Sequence, residues 1–319
     1  MALPAIAAVR AACPYASLAV AAPGSVAPFF LEETNAAPDQ VITVSRRDEA
    51  ERLRRTGAEV AILLPNSFRS AWVARQAGIP ERWGYRGAMR SLLLTRGVPR
   101  PREKRHQSAY YRDLVRGLGF DGPDVLPRVR PAPATAARAR DLLDAAGVGR
   151  GAPLVGIAPG AAYGHAKRWP PARVAALVAR LRGEGADCIL VGAAGDREAG
   201  REIESSLPAD ARVVNLIGRT DLRLLVGLLA ACDAFVSNDS GAVHLAAAAG
   251  VPVAAIFGPT DEHATAPLGD HDVIVHQVFC RPCMLRDCPI DHRCMRGISP
   301  DAVFEAVSRR LAGRTRDVR

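Results

Sequence analysis

The stretch Val236-Ser237-Asn238-Asp239-Ser240-Gly241-Ala242-Val243-His244-Leu245 decides the fold of this chain. An apolar run at 233–237 stops at a tight polar turn, and an Ala-rich helical segment, 241–249, follows at once. Asn, Asp, Ser and Gly end strands, tolerate unusual backbone angles and cap helices. In the first turn of such a helix, free N–H groups point outward with the positive end of the dipole behind them. Ser240, Gly241 and Ala242 therefore offer a site for a phosphate or diphosphate. A well-capped connection without a ligand has the same sequence, so a second phosphate-binding element must separate the two readings.

That element is the loop Pro159-Gly160-Ala161-Ala162-Tyr163-Gly164-His165-Ala166-Lys167-Arg168-Trp169-Pro170. It follows the apolar run 154–158 and precedes a helix that Pro170 and Pro171 help to start. Small residues such as Gly160 let its backbone approach a ligand closely. Lys167 stands out by composition, because 40 of the 42 basic residues are arginine and only Lys104 and Lys167 are lysine. A compact ammonium in a Gly-rich loop suits a diphosphate oxygen, whereas a surface lysine of no consequence is the plain alternative.

Around these two elements the second half alternates strands and helices. Strands are expected at 153–158, 186–192, 212–217, 233–237 and 251–257, with helices at 171–182, 196–205, 221–231 and 241–249. The strands are short, continuous and apolar, as when helices cover both faces of a parallel sheet. The unit is Rossmann-like, with its ligand expected at the carboxyl ends of the strands. Gly160, Lys167, Asp196, Gly218 and Asp239 all lie just past such ends. Asp196 and Glu198 stand where a carboxylate meets ribose hydroxyls, or where a helix simply starts in solvent.

The first half alternates less cleanly: a helix at 3–12, strands near 17–21, 41–44 and 59–64, and helices at 46–56, 67–78 and 105–118. The Pro-, Arg- and Ala-rich stretch 121–136 reads as a joint, which divides the chain into domains 1–135 and 136–319. A final helix at 300–312 has the position to pack back across both. A doubly wound domain ordinarily opens with a strand, yet this one opens with a helix. The expectation is an α/β chain of two Rossmann-like domains in which the first strand of the N-terminal domain is missing, either because the domain is atypical or, the preferred reading, because the sequence starts late.

The net charge of +9 permits contact with nucleic acid or an anionic membrane. Its arginines are spread along the chain, and no nucleic-acid module or basic–aromatic stacking stripe occurs, so nucleic acid is not an expected partner. No window of 18 uninterrupted apolar residues suggests a membrane span, and Pro4, Arg10 and Pro14 break the Ala-rich start. Seven cysteines without a secreted framework fit a reducing cytoplasm.

The Lys167-Arg168-Trp169-Pro170 loop, the Asn238-Asp239-Ser240-Gly241 turn with His244, and Phe257-Gly258-Pro259-Thr260 resemble glycosyltransferase family 9, within it the heptosyltransferase II subfamily. Leu64-Pro65-Asn66-Ser67-Phe68-Arg69-Ser70 and His106-Gln107-Ser108-Ala109-Tyr110-Tyr111 are similar to that family too. The resemblance implies a GT-B architecture, two Rossmann-like domains facing a cleft, with the acceptor side first and the nucleotide-sugar side second. It implies inverting, metal-independent transfer of heptose from ADP-heptose to the lipid A–core acceptor of lipopolysaccharide, on the cytoplasmic face of the inner membrane. Heptosyltransferase I, another family 9 sugar transferase and a non-catalytic ADP-sugar-binding protein are the alternatives.

Carried over by residue, Lys167 matches the lysine that contacts the donor phosphate, and Asp239 an acidic residue near the donor sugar. Ser240, Gly241 and Ala242 supply phosphate-facing N–H groups, and His244 either reaches a phosphate or supports the loop. Asn66, Ser67 and Arg69 are acceptor-side candidates, with a plain helix cap the rival for the first two. The family pattern places a Gly-Asp pair just before the segment matching Met1–Ala5, and its aspartate is the proposed base. This chain has no position to receive that role, so the catalytic base is expected upstream of Met1.

After the second domain, Cys280, Cys283, Cys288 and Cys294, with His292 nearby, form a compact group within 280–294. A structural zinc is the preferred metal for it and an iron–sulfur cluster the second, with reduced metal-free thiols the alternative. No cofactor is expected for catalysis. Cys188 and Cys232 sit in apolar elements and read as core.

Overall fold

The computed structural model describes residues 1–161 and 164–317, with residues 88 and 313–317 in backbone only. Ala162 and Tyr163 of the Gly-rich loop lie outside the described residues. The chain divides into two compact units, Met1–Pro127 and Arg128–Arg319, and the division falls inside the Pro-, Arg- and Ala-rich stretch.

The first unit runs α1 (Leu3–Ala12), β1 (Ala19–Pro23), β2 (Glu33–Thr34), β3 (Gln40–Val44), α2 (Glu49–Arg54), β4 (Val60–Leu63) and α3 (Phe68–Gln76). It continues through β5 (Glu81–Tyr85), a 3-10 turn at Ala88–Leu93, β6 (Arg96–Val98) and α4 (Gln107–Gly117). Among the described residues its parallel strands form two separate pieces, β1 with β3 and β4–β5–β6. Ala5, Ala8 and Val9 of α1 pack against Val115 of α4, with Leu18 and Ile62 alongside. β5 and β6 were not legible: Glu81-Arg82-Trp83-Gly84-Tyr85 is neither apolar nor alternating. Gly84 fits because β5 runs tight against its neighbours, a Cβ there meeting Leu63 O at 3.3 Å and Arg90 Nη2 at 3.0 Å.

The second unit contains β7 (Val129–Arg130), α5 (Pro133–Ala145), β8 (Leu154–Ala158), α6 (Pro171–Gly183), β9 (Asp187–Leu190), α7 (Arg197–Ser205) and β10 (Val214–Asn215). There follow α8 (Leu222–Ala230), β11 (Ala234–Asn238), α9 (Gly241–Ala248), β12 (Val253–Phe257), α10 (Glu262–Thr265), β13 (His271–Val275), α11 (Arg293–Arg296) and α12 (Pro300–Asp317). Six strands make one parallel sheet in the order β10-β9-β8-β11-β12-β13. Every residue of β8, β11 and β12 is buried, which is why these strands read as unbroken apolar runs.

Alternation along the strands feeds two cores. Val155, Ile157, Val236 and Ile256 meet Leu177, Leu181 and Val307 on one face. Leu154, Phe235, Val253 and Phe257 meet Leu143, Leu228 and Val243 on the other. The last helix, α12, packs on α6 and on β11–β13 within this unit. α5 and β13 are among the elements the sequence reading lacked. α5 begins at Pro133, a residue equally at home in a linker or in the first helical turn, and β13 is a half-buried edge strand beside β12. Among the described residues no helix is long and apolar enough to cross a membrane.

Gly156 sits where β8 meets its neighbour, and a Cβ there would lie 2.7 Å from Phe235 Cδ2 and 2.9 Å from Cys232 Sγ. Gly156→Ala is expected to destabilise the protein by about 1–3 kcal/mol through overpacking. Urea denaturation checks this, the midpoint falling with the slope unchanged.

Candidate active site

β8 and β11 are neighbours in register, Ala158 beside Ser237, so the loops at their carboxyl ends are brought together. Asn238 joins the loops with both ends of its amide. Its Nδ2 donates to Pro159 O at 2.7 Å, and its Oδ1 accepts from the Trp169 N–H at 3.3 Å. Trp169 is itself buried and donates its indole N–H to Ile298 O at 3.1 Å.

Held in this frame, Lys167 Nζ lies 2.6 Å from Asp239 Oδ2, with side chains only 11% and 7% exposed. A buried ion pair is costly to break, because the surviving charge is left in a poor solvent. Thr265 Oγ1 donates to the other oxygen of Asp239 at 3.4 Å. The next residues open α9: Ser240 is the N-cap in extended conformation, but its side chain makes no cap hydrogen bond. Its hydroxyl instead meets Ser237 Oγ at 3.0 Å. Gly241 is exposed, and a Cβ there would meet nothing within 4 Å, so the helix start is open to an approaching group. His244 lies on the same helix, partly buried.

The remaining donor-side residues fall into two places. Gly160 and Asp196 are in direct contact: a Cβ on Gly160 would stand 2.2 Å from Asp196 Cγ, so the carboxylate can close over the loop only because residue 160 is glycine. Asp196 also accepts from the Ala193 N–H at 3.1 Å and lies 3.5 Å from Arg168 Nη2. Gly218 adopts φ +71°, which favours glycine, and a Cβ there would meet the Arg197 guanidinium at 2.7 Å. Glu198 is exposed and lines a cavity of about 490 Å³ with His165, Arg168, Trp169, His292 and Arg296. Neither Lys167 nor Asp239 lines that cavity.

In the first unit, Ser67 caps α3, accepting from the Ser70 N–H at 3.2 Å. Asn66 donates to Tyr110 Oη at 2.9 Å, and its Oδ1 accepts from the buried Arg90 at 3.4 Å. Arg90 Nη1 donates also to Pro65 O at 2.8 Å, while its Nε and Nη2 have no hydrogen-bond partner. Arg69 pairs with Glu49 at 2.5 Å and donates to Arg46 O at 3.3 Å.

The family model described as glycosyltransferase family 9 (heptosyltransferase) matches residues 46–293. The chain belongs to glycosyltransferase family 9. It is 33% identical to lipooligosaccharide heptosyltransferase 2 of Haemophilus influenzae, over 80% of this chain and 77% of that protein. Against lipopolysaccharide heptosyltransferase 2 of Escherichia coli the identity is 34%, over 82% of this chain and 78% of that protein. The solved structure of E. coli ADP-heptose LPS heptosyltransferase II superposes with a TM-score of 0.83 at 30% identity, covering 98% of this chain and 95% of that one. This family 9 glycosyltransferase therefore has the GT-B class of fold expected from its motifs.

The cysteine-rich segment of the transferase lies against the site through its backbone. The Ala166 N–H donates to Arg286 O at 3.0 Å, and the Met284 N–H to Pro259 O at 2.9 Å. The buried guanidinium of Arg281 adds Gly258 O at 3.0 Å and Glu262 at 2.7 Å. One segment thus touches both the Lys167 loop and the loop after β12. Nothing in the spacing of its cysteines announced these contacts, nor the roles of Asn238, Arg168 and Arg281. Burial, together with the charges of Cys280, Cys283 and Cys288, pushes the Cys294 thiol above its ordinary value. Even so, among the described residues no group of three or more His, Cys, Asp or Glu side chains is arranged to hold a metal ion.

Lys167→Met is expected to cost about 3–5 kcal/mol by stranding the Asp239 carboxylate. Adding Asp239→Leu should recover much of that loss, and a double-mutant cycle by urea denaturation reads the coupling. In metal-free protein, a thiol reagent at neutral pH should label the half-buried Cys13, Cys280, Cys283 and Cys288 first. Cys188, pushed up to about 12 by burial, should react only after unfolding, with Cys232 and Cys294.

Proposed function

We propose that this glycosyltransferase is a heptosyltransferase II, moving heptose from ADP-heptose to the inner core of lipopolysaccharide with inversion. The reading rests on the buried Lys167–Asp239 pair beside the open start of α9, in a chain whose relatives carry the heptosyltransferase 2 name. In such a reaction the acceptor hydroxyl loses its proton to a base and attacks the anomeric carbon. The bond to the diphosphate breaks, and the electron pair leaves with ADP. Charge growing on that leaving group is the problem the site must solve.

In this reading Lys167 and the N–H groups of Ser240, Gly241 and Ala242 face the diphosphate and stabilise it, so the chemistry calls for no metal. Asp239 orients Lys167 and accepts from heptose hydroxyls, and His244 supports the same turn. Gly160 and Gly218 line the nucleotide side by admitting the Asp196 carboxylate and the Arg197 guanidinium, with Asp196 and Glu198 toward the ribose. Residues 136–319 form the donor side and 1–135 the acceptor side, where Asn66, Ser67 and Arg69 meet the acceptor. No residue of the chain is assigned as the base. The enzyme works in the cytoplasm, peripheral to the inner membrane that carries its lipid A–core acceptor. A structural zinc on Cys280, Cys283, Cys288 and Cys294 would have to draw these thiols together. Metal analysis at one zinc per chain, with the thiols protected until a chelator is added, checks that point.

The deciding assay supplies labelled ADP-heptose with two acceptors, one bearing heptose I and one lacking heptose. Transfer to the heptose-bearing acceptor alone is expected, and a chelator should leave the rate unchanged. Transfer to the heptose-free acceptor would assign heptosyltransferase I instead, and ADP binding without transfer to either would overturn the enzyme reading. Lys167→Ala should lower kcat/KM by about 10²–10³-fold, the scale of losing one charge-stabilising donor.

A further inference from the structure

The first unit carries an exposed apolar face that its core does not use. Phe68 and Trp72 stand one turn apart on α3, 47% and 43% exposed, with rings stacked at 6.2 Å. On the 3-10 turn Ala88–Leu93, which packs alongside α3, residues three apart share a face. Arg90 and Leu93 point inward and are buried, so Met89 and Leu92 point outward, 70% and 81% exposed. Four large apolar side chains on two adjacent elements exceed the scattered exposure ordinary for a soluble surface.

The segment that carries Met89 and Leu92 is strongly basic. Between residues 86 and 105 stand seven basic residues and a single acid, Glu103. Arg86, Arg96, Arg100, Arg102, Lys104 and Arg105 are all exposed. Two of them are engaged elsewhere, Arg96 over the Trp83 ring and Arg105 with Asp113. Apolar side chains with an aromatic among them, bordered by cations, suit a bilayer whose headgroups are anionic. A protein partner would be served by the apolar face alone, and the excess of cations favours lipid.

We propose that Phe68, Trp72, Met89 and Leu92, with the basic segment 86–105, form the surface by which this protein docks on an anionic lipid bilayer. The proposal gives a surface to the peripheral location inferred above, but its test uses neither donor nor acceptor, so the two stand or fall separately. The full chain is mixed with vesicles of phosphatidylcholine alone or with phosphatidylglycerol added. Cosedimentation should rise with phosphatidylglycerol and fall at high salt, and the emission of Trp72 should shift to the blue. Phe68→Ser/Trp72→Ser and Met89→Ser/Leu92→Ser should each weaken binding to anionic vesicles about tenfold or more. Arg100→Glu/Arg102→Glu, which leaves the apolar face intact, should do the same. Met89→Ser/Leu92→Ser and Arg100→Glu/Arg102→Glu change more exposed residues, so their thermal unfolding should match the parent, and they carry the test if loss of the stacked Phe68 and Trp72 rings lowers stability. Equal binding to neutral vesicles, or anionic binding unchanged in all the variants, would overturn the proposal. Self-association abolished by the apolar substitutions, without vesicle binding, would do so too and assign the face to a second copy of the chain.

Discussion

A parallel sheet buried on both faces leaves no place for a charge along its strands. In β8, β11 and β12 every position is buried, and a lone charge there would cost several kcal/mol. Polar chemistry is therefore confined to the points where the strands stop. Because the strands are parallel and in register, those points lie side by side. That constraint brings together Lys167 and Asp239, 72 residues apart in the chain, and lets the amide of Asn238, at the end of β11, hold the loop after β8 at two points. The ion pair follows from the sheet. It is tolerable in a dry setting because each charge has the other.

The two units meet this constraint differently. In the second, all six strands join and the central ones are dry. In the first, the sheet is in two pieces and its strands keep exposed or half-buried positions. α1 touches both pieces, its Ala5, Ala8 and Val9 packing with Leu18 just before β1 and with Ile62 of β4. Small residues on that face allow a close approach, but the contact is between a helix and side chains.

How much was legible follows from the same physics. Strands buried on both faces announce themselves as apolar runs, and helices between them by their caps, as with Asp221 accepting from the Leu224 N–H at 2.7 Å. Strands that carry polar residues on exposed or half-buried positions lack such a run, so Glu81–Tyr85 and His271–Val275 went unread. Lys167 was visible because lysine is rare here, and Asp239 because it sits in a turn. That they pair was not visible, since nothing local links them. The same holds for the fit of Asp196 over Gly160 and for Arg90 behind Asn66. Contacts between distant segments depend on register, and register belongs to the assembled sheet.

The cysteine-rich segment meets the loop of Lys167 through Arg286 O and the loop after β12 through the Met284 N–H. Both links are made by peptide groups, which every residue type but proline carries in full. These two links are indifferent to which side chains decorate the segment, while the grip on Gly258 and Glu262 needs the guanidinium of Arg281. Cysteines in the segment can be gained, lost or replaced over evolutionary time while the loops stay anchored, provided the path of the backbone is kept. Sequence divergence there is thus a poor guide to whether the site beneath it still works.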